Sequence, residues 1–484
     1  MSEYLRLRLM GFSAHEILTI RAELRQLKAK LRLSQGAVTE GKASEKRNIP
    51  RYAQNKVRSY FRRRYLGGAK SFDKSLLICA YKDHPLLNGM HPDRKKIWKG
   101  FIHRSTERLE IDLNGFSFVS NPVETMGVLQ EIAIAECRNA NVMLNFSDDE
   151  CLDIGAYLIL NAMKVQMISV FHGGAISDSI RNVFILLGLD KAMQMRMRKR
   201  DPEKDNVWPL RLQQRRPPGM TKSARAQLDP THAEKATKTL VDTVNRWLSR
   251  MAKVRLSVQG ERLAAKMLGE ALGNAEQHSD AKGDGNWSLA GFVSRREIET
   301  EERYVFHLAL FSPGETIAES MRTCAPDTQR ALNRYVGQHL RNGPYTPEML
   351  ATIFALQDGV TSDAKAFENN IGGTGLQDVL QFYAALSANA DPSTAIGGMA
   401  IVSGSTCIQF KEAYVKGQLD FTDFDPGKPP PRTIWFNPEN HRDTPPDLRY
   451  VHALPGKLQG TLITMAFTVD EAYLRASSNG DSND

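Results

Sequence analysis

Three polar side chains stand four residues apart at Glu270, Asn274 and His278, within GEALGNAEQHS. At 3.6 residues per turn, that spacing places them on one stripe of a helix. Leu263, Met267, Ala271 and Ala275 form an apolar face one position round from it. The stripe therefore borders the buried surface, where a pocket wall would run. Gly269 and Gly273 interrupt the same helix, each at about 1 kcal/mol relative to alanine. Their missing side chains leave room for another element or a ligand against the helix backbone. A surface helix with assorted polar groups would carry the same letters, and this stretch alone does not separate the two readings.

Three further stretches carry chemistry. In NIGGTGLQDVL, Gly372, Gly373, Thr374 and Gly375 lead into an apolar helix. Backbone N–H groups free of side-chain bulk at a helix start cradle an anion. LALFSPGETIAESM runs a strand into a turn at Gly314 and a new helix, and LQGTLITMAFTVD is a strand opened by Gly460 and Thr461.

In this order and spacing the four stretches resemble the GHKL ATPase superfamily, which includes gyrase B, Hsp90, MutL, histidine kinases and anti-sigma serine kinases. EALGNAEQHS is similar to its N box, GGTGL to its G2 box and GTLITM to its pocket-closing strand, over about 230–475. The resemblance implies a Bergerat-type α/β two-layer sandwich with ATP and Mg²⁺ as cofactors. The Asn274 amide oxygen would coordinate the metal, a hard cation that prefers oxygen. Glu270, one turn away, would orient or deprotonate the attacking water. Gly372, Gly373, Thr374 and Gly375 would hold the phosphates, with Ser312, Gly314 and Thr461 completing the nucleotide site. His278 falls where the family has a histidine past the metal ligand. SPGETI departs from the family's Asp-x-Gly-x-Gly. Ser312 stands for the aspartate that hydrogen-bonds the adenine amine, and Thr316 for the second glycine.

Within the superfamily several kinds of protein remain open. A histidine kinase needs a phosphoacceptor histidine; His232 in THAEKATKTL lacks the acidic and proline context and stands close to the N box. An ATP-driven conformational switch would close a lid at about 318–371 over the nucleotide. An anti-sigma-type serine or protein kinase and a non-hydrolysing nucleotide-dependent adaptor are the alternatives. The reading adopted is a regulatory ATPase, bacterial and cytoplasmic, suited to stress or phage-defence signalling.

These residues need a scaffold, and the texture of the chain outlines one. Strands and helices alternate from about 108, beginning with RLEIDLNGFSFVS as paired strands turning at Asn114 and Gly115. This implies an α/β layer. The order, and NFSDDECLDIGAYLIL in particular, resembles the STAS domain of anti-sigma-factor antagonists. Where regulatory members carry a phosphorylated Asp-Ser pair, this chain has Asp153-Ile154. Without a hydroxyl the resemblance implies docking of a protein partner, not a phospho-switch. The expected organisation is multidomain, α/β and α+β. A basic helical region at 1–70 precedes a STAS-like α/β domain at 71–200. A proline- and glycine-rich linker at 201–230, the ATPase domain at 231–475 and a disordered tail at 476–484 follow.

Composition bounds the rest. The net charge of +9 is uneven: residues 1–70 hold 17 Lys and Arg against 5 Asp and Glu, leaving the remainder slightly acidic. Such a region suits nucleic acid or an acidic partner. The five cysteines form no CxxC pair, which argues against structural zinc and for reduced thiols. Neither a membrane-spanning apolar run nor a signal-peptide core is expected. A homodimer is compatible with the superfamily.

Overall fold

The computed structural model describes His15, Leu18, Thr19, Ala22, Arg25 and Gln26, then residues 83–97, 109–138, 142–164, 174–193, 195, 197, 206–215, 232–251, 253–278, 285–298, 301–361, 375–387, 397–411, 413–421 and 430–469. The chain forms two compact units. One comprises Met1–Asp83, Lys95–Arg108 and Cys137–Asn141. Its described residues between His15 and Gln26 are helical and exposed. Residues 27–70 of the expected basic helical region and the tail at 476–484 lie outside the described residues.

The other unit comprises His84–Arg94, Leu109–Glu136 and Val142–Asp484. Its centre is a five-stranded antiparallel sheet ordered β3-β4-β5-β9-β6. The strands are β3 (Val207–Gln214), β4 (Ser288–Ile298), β5 (Glu301–Pro313), β6 (Gly397–Phe410) and β9 (Val451–Val469). The short strands β7 (Gln418–Leu419) and β8 (Arg432–Thr433) pair separately. Strand side chains alternate between faces. Phe306, Leu308 and Leu310 of β5 and Ile463, Met465 and Phe467 of β9 share one core with helices on that face. Before β3 come α1 (Pro85–Met90), α2 (Pro122–Arg138), α3 (Ile154–Lys164) and α4 (Asp178–Leu187). After it come α5 (Ala233–Met251), α6 (Val258–His278), α7 (Ile317–Ser320), α8 (Pro326–His339), α9 (Pro347–Ala355) and α10 (Gly375–Ser387).

Helices α5, α6 and α10 supply that first face, through Leu240, Trp247, Leu268, Leu272 and Leu380 among others. The opposite face takes α3 and α4. Helix α3 is buried almost all round, as a helix between two layers must be. Gly155 lets it approach β9: a Cβ there would stand 2.7 Å from the Thr464 side chain. Tyr157 of α3, Phe184 of α4 and Phe146 interlock at centroid distances of 5.0–6.0 Å. Strands β1 (Leu109–Asp112) and β2 (Val142–Asn145) pair in parallel.

The class is therefore mixed α/β, with an antiparallel and a parallel sheet. Three expectations need correction. The 201–230 stretch is not simply a linker, because residues 207–214 form the β3 edge of the main sheet; Pro209 fits an edge, where a missing N–H is tolerated. Most of the segment expected as a separate domain at 71–200, namely His84–Arg94, Leu109–Glu136 and the residues from Val142, shares one compact unit with the segment at 231–475. Finally, residues 116–120 form no strand. The Gly115 and Phe116 N–H groups donate to Asp148 at 2.7 and 3.1 Å, and the Phe118 N–H donates to Asp153 at 2.8 Å. Carboxylates take the donors that a partner strand would have used.

Candidate functional site

Helix α6 buries Ala264, Met267, Leu268, Leu272 and Ala275. Glu270 and Asn274 stand exposed beside this face. Lys266, four residues before Glu270, belongs to the same stripe, and its Nζ lies 2.9 Å from Asp378 Oδ2 in the first turn of α10. The stripe thus borders α10, the helix that begins at Gly375. Gly269 and Gly273 have no described atom within 4 Å of a Cβ built on them. Gly269 faces a groove of about 680 Å³ between α5 and α6. The two glycines therefore admit no close packing among the described residues, and the space over them is open. Gly372, Gly373 and Thr374 lie outside the described residues, as does the side chain of His278.

Ser312, next to last in β5, is the direct cross-strand partner of Thr461 in β9; Thr461 is in turn the partner of Ser403 in β6. By strand alternation all three face α6 and α10. Ser403 Oγ accepts the Ile317 N–H at 2.9 Å and donates to the Gly460 carbonyl at 3.2 Å. Its second lone pair then takes the proton of Thr461 Oγ1, 3.0 Å away. Ser312 Oγ donates to the Asn286 carbonyl at 3.3 Å. Both Ser312 and Thr461 are left with oxygen lone pairs to offer. Ser403 carries no motif signal, and register alone brings it into the row.

Gly314 turns the chain out of β5 with φ 142°, and its carbonyl accepts from Gln459 Nε2 at 3.0 Å. Thr316, in place of a family glycine, forms a capping box with Glu319 at the start of α7. Glu319 is also held by Lys457 at 2.6 Å and Gln459 at 3.0 Å. Burial acts to raise its carboxyl pKa, but Lys457, the Thr316 N–H and Gln459 outweigh it and hold the group below its ordinary value. The described part of the segment expected as a lid, 318–361, is packed against the main unit in this structure. Helices α8 and α9 place Leu332, Tyr335, Leu350, Ile353 and Phe354 in the main core. Residues 362–371 of that segment lie outside the described residues.

On the opposite face, Asp153 is the N-cap of α3, its Oδ1 accepting the Gly155 N–H at 2.7 Å. Ile154 follows it, fully buried, so the position matching the STAS phosphoacceptor has neither hydroxyl nor access. Among the described residues no group of three or more His, Cys, Asp or Glu side chains could hold a metal, and no helix is long and apolar enough to cross a membrane. A magnesium site here would rest on the neutral Asn274 amide and phosphate oxygens, a donor set compatible with the lack of a carboxylate cluster. No protein family, curated protein or solved structure matches the chain.

Proposed function

We propose that the main sheet with α5, α6 and α10 is a GHKL-type nucleotide-binding module, and that the chain is an ATP-dependent regulatory switch. One observation carries the reading. Ser312 and Thr461 belong to motifs far apart in sequence, yet they are direct partners on adjacent strands facing α6 and α10. The element order supports it as well: polar-stripe helix, hairpin, glycine turn, helix following a glycine loop, and a closing strand opened by Gly460-Thr461.

Each part has work to do in this reading. The lone pairs of Ser312 and Thr461 suit the two N–H donors of an adenine amine, replacing the missing carboxylate. Asn274 supplies an uncharged oxygen to Mg²⁺, which when bound neutralises the phosphate charge. Glu270 is exposed one turn away and accepts a proton from, or orients, the attacking water. The glycines leading into α10 offer N–H groups to phosphate. The packed STAS-like layer, without a phosphorylatable residue at Ile154, serves as a partner-docking scaffold. The setting is that of a bacterial cytoplasmic regulator in stress or phage-defence signalling.

Calorimetry of Mg-ATP binding to wild type and Asn274→Ala tests the site; equal metal-dependent affinity refutes it. Incubation with γ-labelled ATP, with and without cell lysate, then separates the classes. Free phosphate marks an ATPase, labelled protein a kinase, and unchanged nucleotide with retained affinity an adaptor.

A further inference from the structure

Away from the proposed nucleotide groove, a cleft of about 440 Å³ lies at the β3 edge of the sheet, between β3 and α5. Its walls combine two chemistries. Trp208 is stacked on Tyr304 at 5.4 Å and 26°, and Trp247 meets Phe306 edge-on at 5.3 Å. Both indoles are thus fixed by the core behind them. Arg211, Arg246 and Arg250 also line the cleft, all three exposed, and among the described residues no carboxylate lines it.

The positions are built. Arg246 Nη2 donates to Thr243 Oγ1 at 2.8 Å and its Nε to the Asp242 carbonyl at 3.3 Å, which orients the guanidinium. Arg250 follows one helical turn later, about 6 Å along α5. The ladder shifts register between Leu210 and Gln213, an irregularity that re-aims side chains at this edge. Gln213 lines the same cleft, and its Oε1 is buried without a donor among the described residues. A buried acceptor with no partner is costly to leave; an N–H from a bound ring would satisfy it.

We propose that this cleft binds single-stranded nucleic acid, with one base laid against Trp208 and successive phosphates on Arg246 and Arg250. Stacking on a fixed aromatic ring is tolerant of sequence, and arginine supplies the phosphate contacts. An acidic peptide would use the arginines but leave the indole and the Gln213 acceptor idle. This site is separate from the basic region at 1–70 and does not depend on the nucleotide reading.

The test uses the full chain and a fluorescent oligothymidylate, in DNA and RNA form, in anisotropy titrations over a range of salt. The Arg246→Gln/Arg250→Gln double variant, altered only at exposed positions, is expected to bind at least about tenfold more weakly. Its log–log salt slope should fall by about 1.4, at about 0.7 per phosphate contact on a single strand. Trp208→Ala should lose roughly tenfold, while Trp208→Phe, which keeps a ring on Tyr304, should retain most of the affinity. A bromouracil-substituted oligonucleotide should photocrosslink to 206–215 or α5. An unchanged salt slope in the double variant overturns the proposal, as does crosslinking confined to 1–70. Polyglutamate that displaces the oligonucleotide equally well from wild type and Trp208→Ala would make the cleft an acidic-chain site. A thymidine mononucleotide that binds as tightly as the strand would make it a small-molecule site.

Discussion

Thr464 Oγ1 donates to Asp153 Oδ1 at 2.5 Å, joining strand β9 to the first turn of α3 where both residues are buried. The same carboxylate takes the Gly155 and Phe118 N–H groups. One side chain therefore fastens the α3 layer to the sheet that carries Thr461 on its other face. Asp153→Ala leaves several buried donors without an acceptor and should cost about 3 kcal/mol, read from urea denaturation midpoints.

The same residue gives a pH signature opposite to that of an ordinary paired carboxylate. Burial raises the Asp153 pKa above its usual value, and the hydrogen bonds only partly offset it. The folded state then holds a proton that the unfolded state has released, so stability falls as pH rises from the ordinary value through the raised one. Asp153→Asn keeps an acceptor oxygen and cannot ionise. It should remove this part of the pH dependence, and denaturation curves at several pH values against wild type would show it. An unchanged profile refutes the assignment.

His307 contributes in the other direction. Its ring stacks on Phe292 at 4.3 Å, and Arg296 Nη2 donates to its Nε2 at 3.3 Å. Burial, and secondarily the Arg296 charge, push its pKa well below 6.5. The unfolded chain takes up a proton below 6.5 that the folded chain refuses, so stability is lost as pH falls below that value. His307→Gln should flatten this acid limb, even if it lowers stability at neutral pH. Thermal denaturation between pH 5 and about 8, the usual range of histidine titration, measures both effects.

The proposed nucleotide site gives the hydroxyl row a part in recognising the base. Ser312→Ala and Thr461→Val should each weaken Mg-ATP binding by roughly three- to tenfold, the range of one neutral hydrogen bond. Ser403 holds the Ile317 N–H and the Thr461 hydroxyl, so Ser403→Ala should weaken binding through Thr461. Calorimetry of the three variants decides this, and undiminished affinity in all three removes the row from the site. Glu270→Gln should keep affinity while phosphate release falls by at least about a hundredfold, the typical contribution of a general base.

What the sequence made legible follows from where its signals are local. The expected α6 and α10, β5 and the Gly460-Thr461 strand rest on periodicity and glycine turns, which are properties of short windows. Helix α4 has the same local character, with Ser177 as its N-cap. What stayed hidden depends on distant partners. Phe116 and Phe118 alternate like a strand, but Asp148 and Asp153, more than thirty residues on, claim the N–H groups. Strand β3 sits in a proline-rich stretch and gains its identity only from pairing with β4. Within the segment expected as a lid, Thr346 caps α9 with Pro347 at its first position. In the site, Ser403 and the Lys266–Asp378 contact are consequences of register and packing that no motif announces.

The two kinds of glycine at the site make the last prediction. Gly460 stands in a conformation that favours glycine, with φ 133°, and a Cβ there would meet the Ser312 carbonyl at 2.2 Å. That obstacle is backbone, so β5 and β9 would have to separate, and Gly460→Ala should lower both stability and nucleotide affinity. Gly273 differs. It lies in a regular helix, and nothing described stands within 4 Å of its would-be Cβ. Packing in the free protein does not require a glycine there, so Gly273→Ala should raise stability by about 1 kcal/mol through helix propensity. If the glycine keeps room for a ligand beside Asn274, the same change should weaken Mg-ATP binding while the protein becomes more stable. Denaturation and calorimetry on the one variant read the two effects separately. A gain in stability with undiminished affinity would assign Gly273 no part in the nucleotide site.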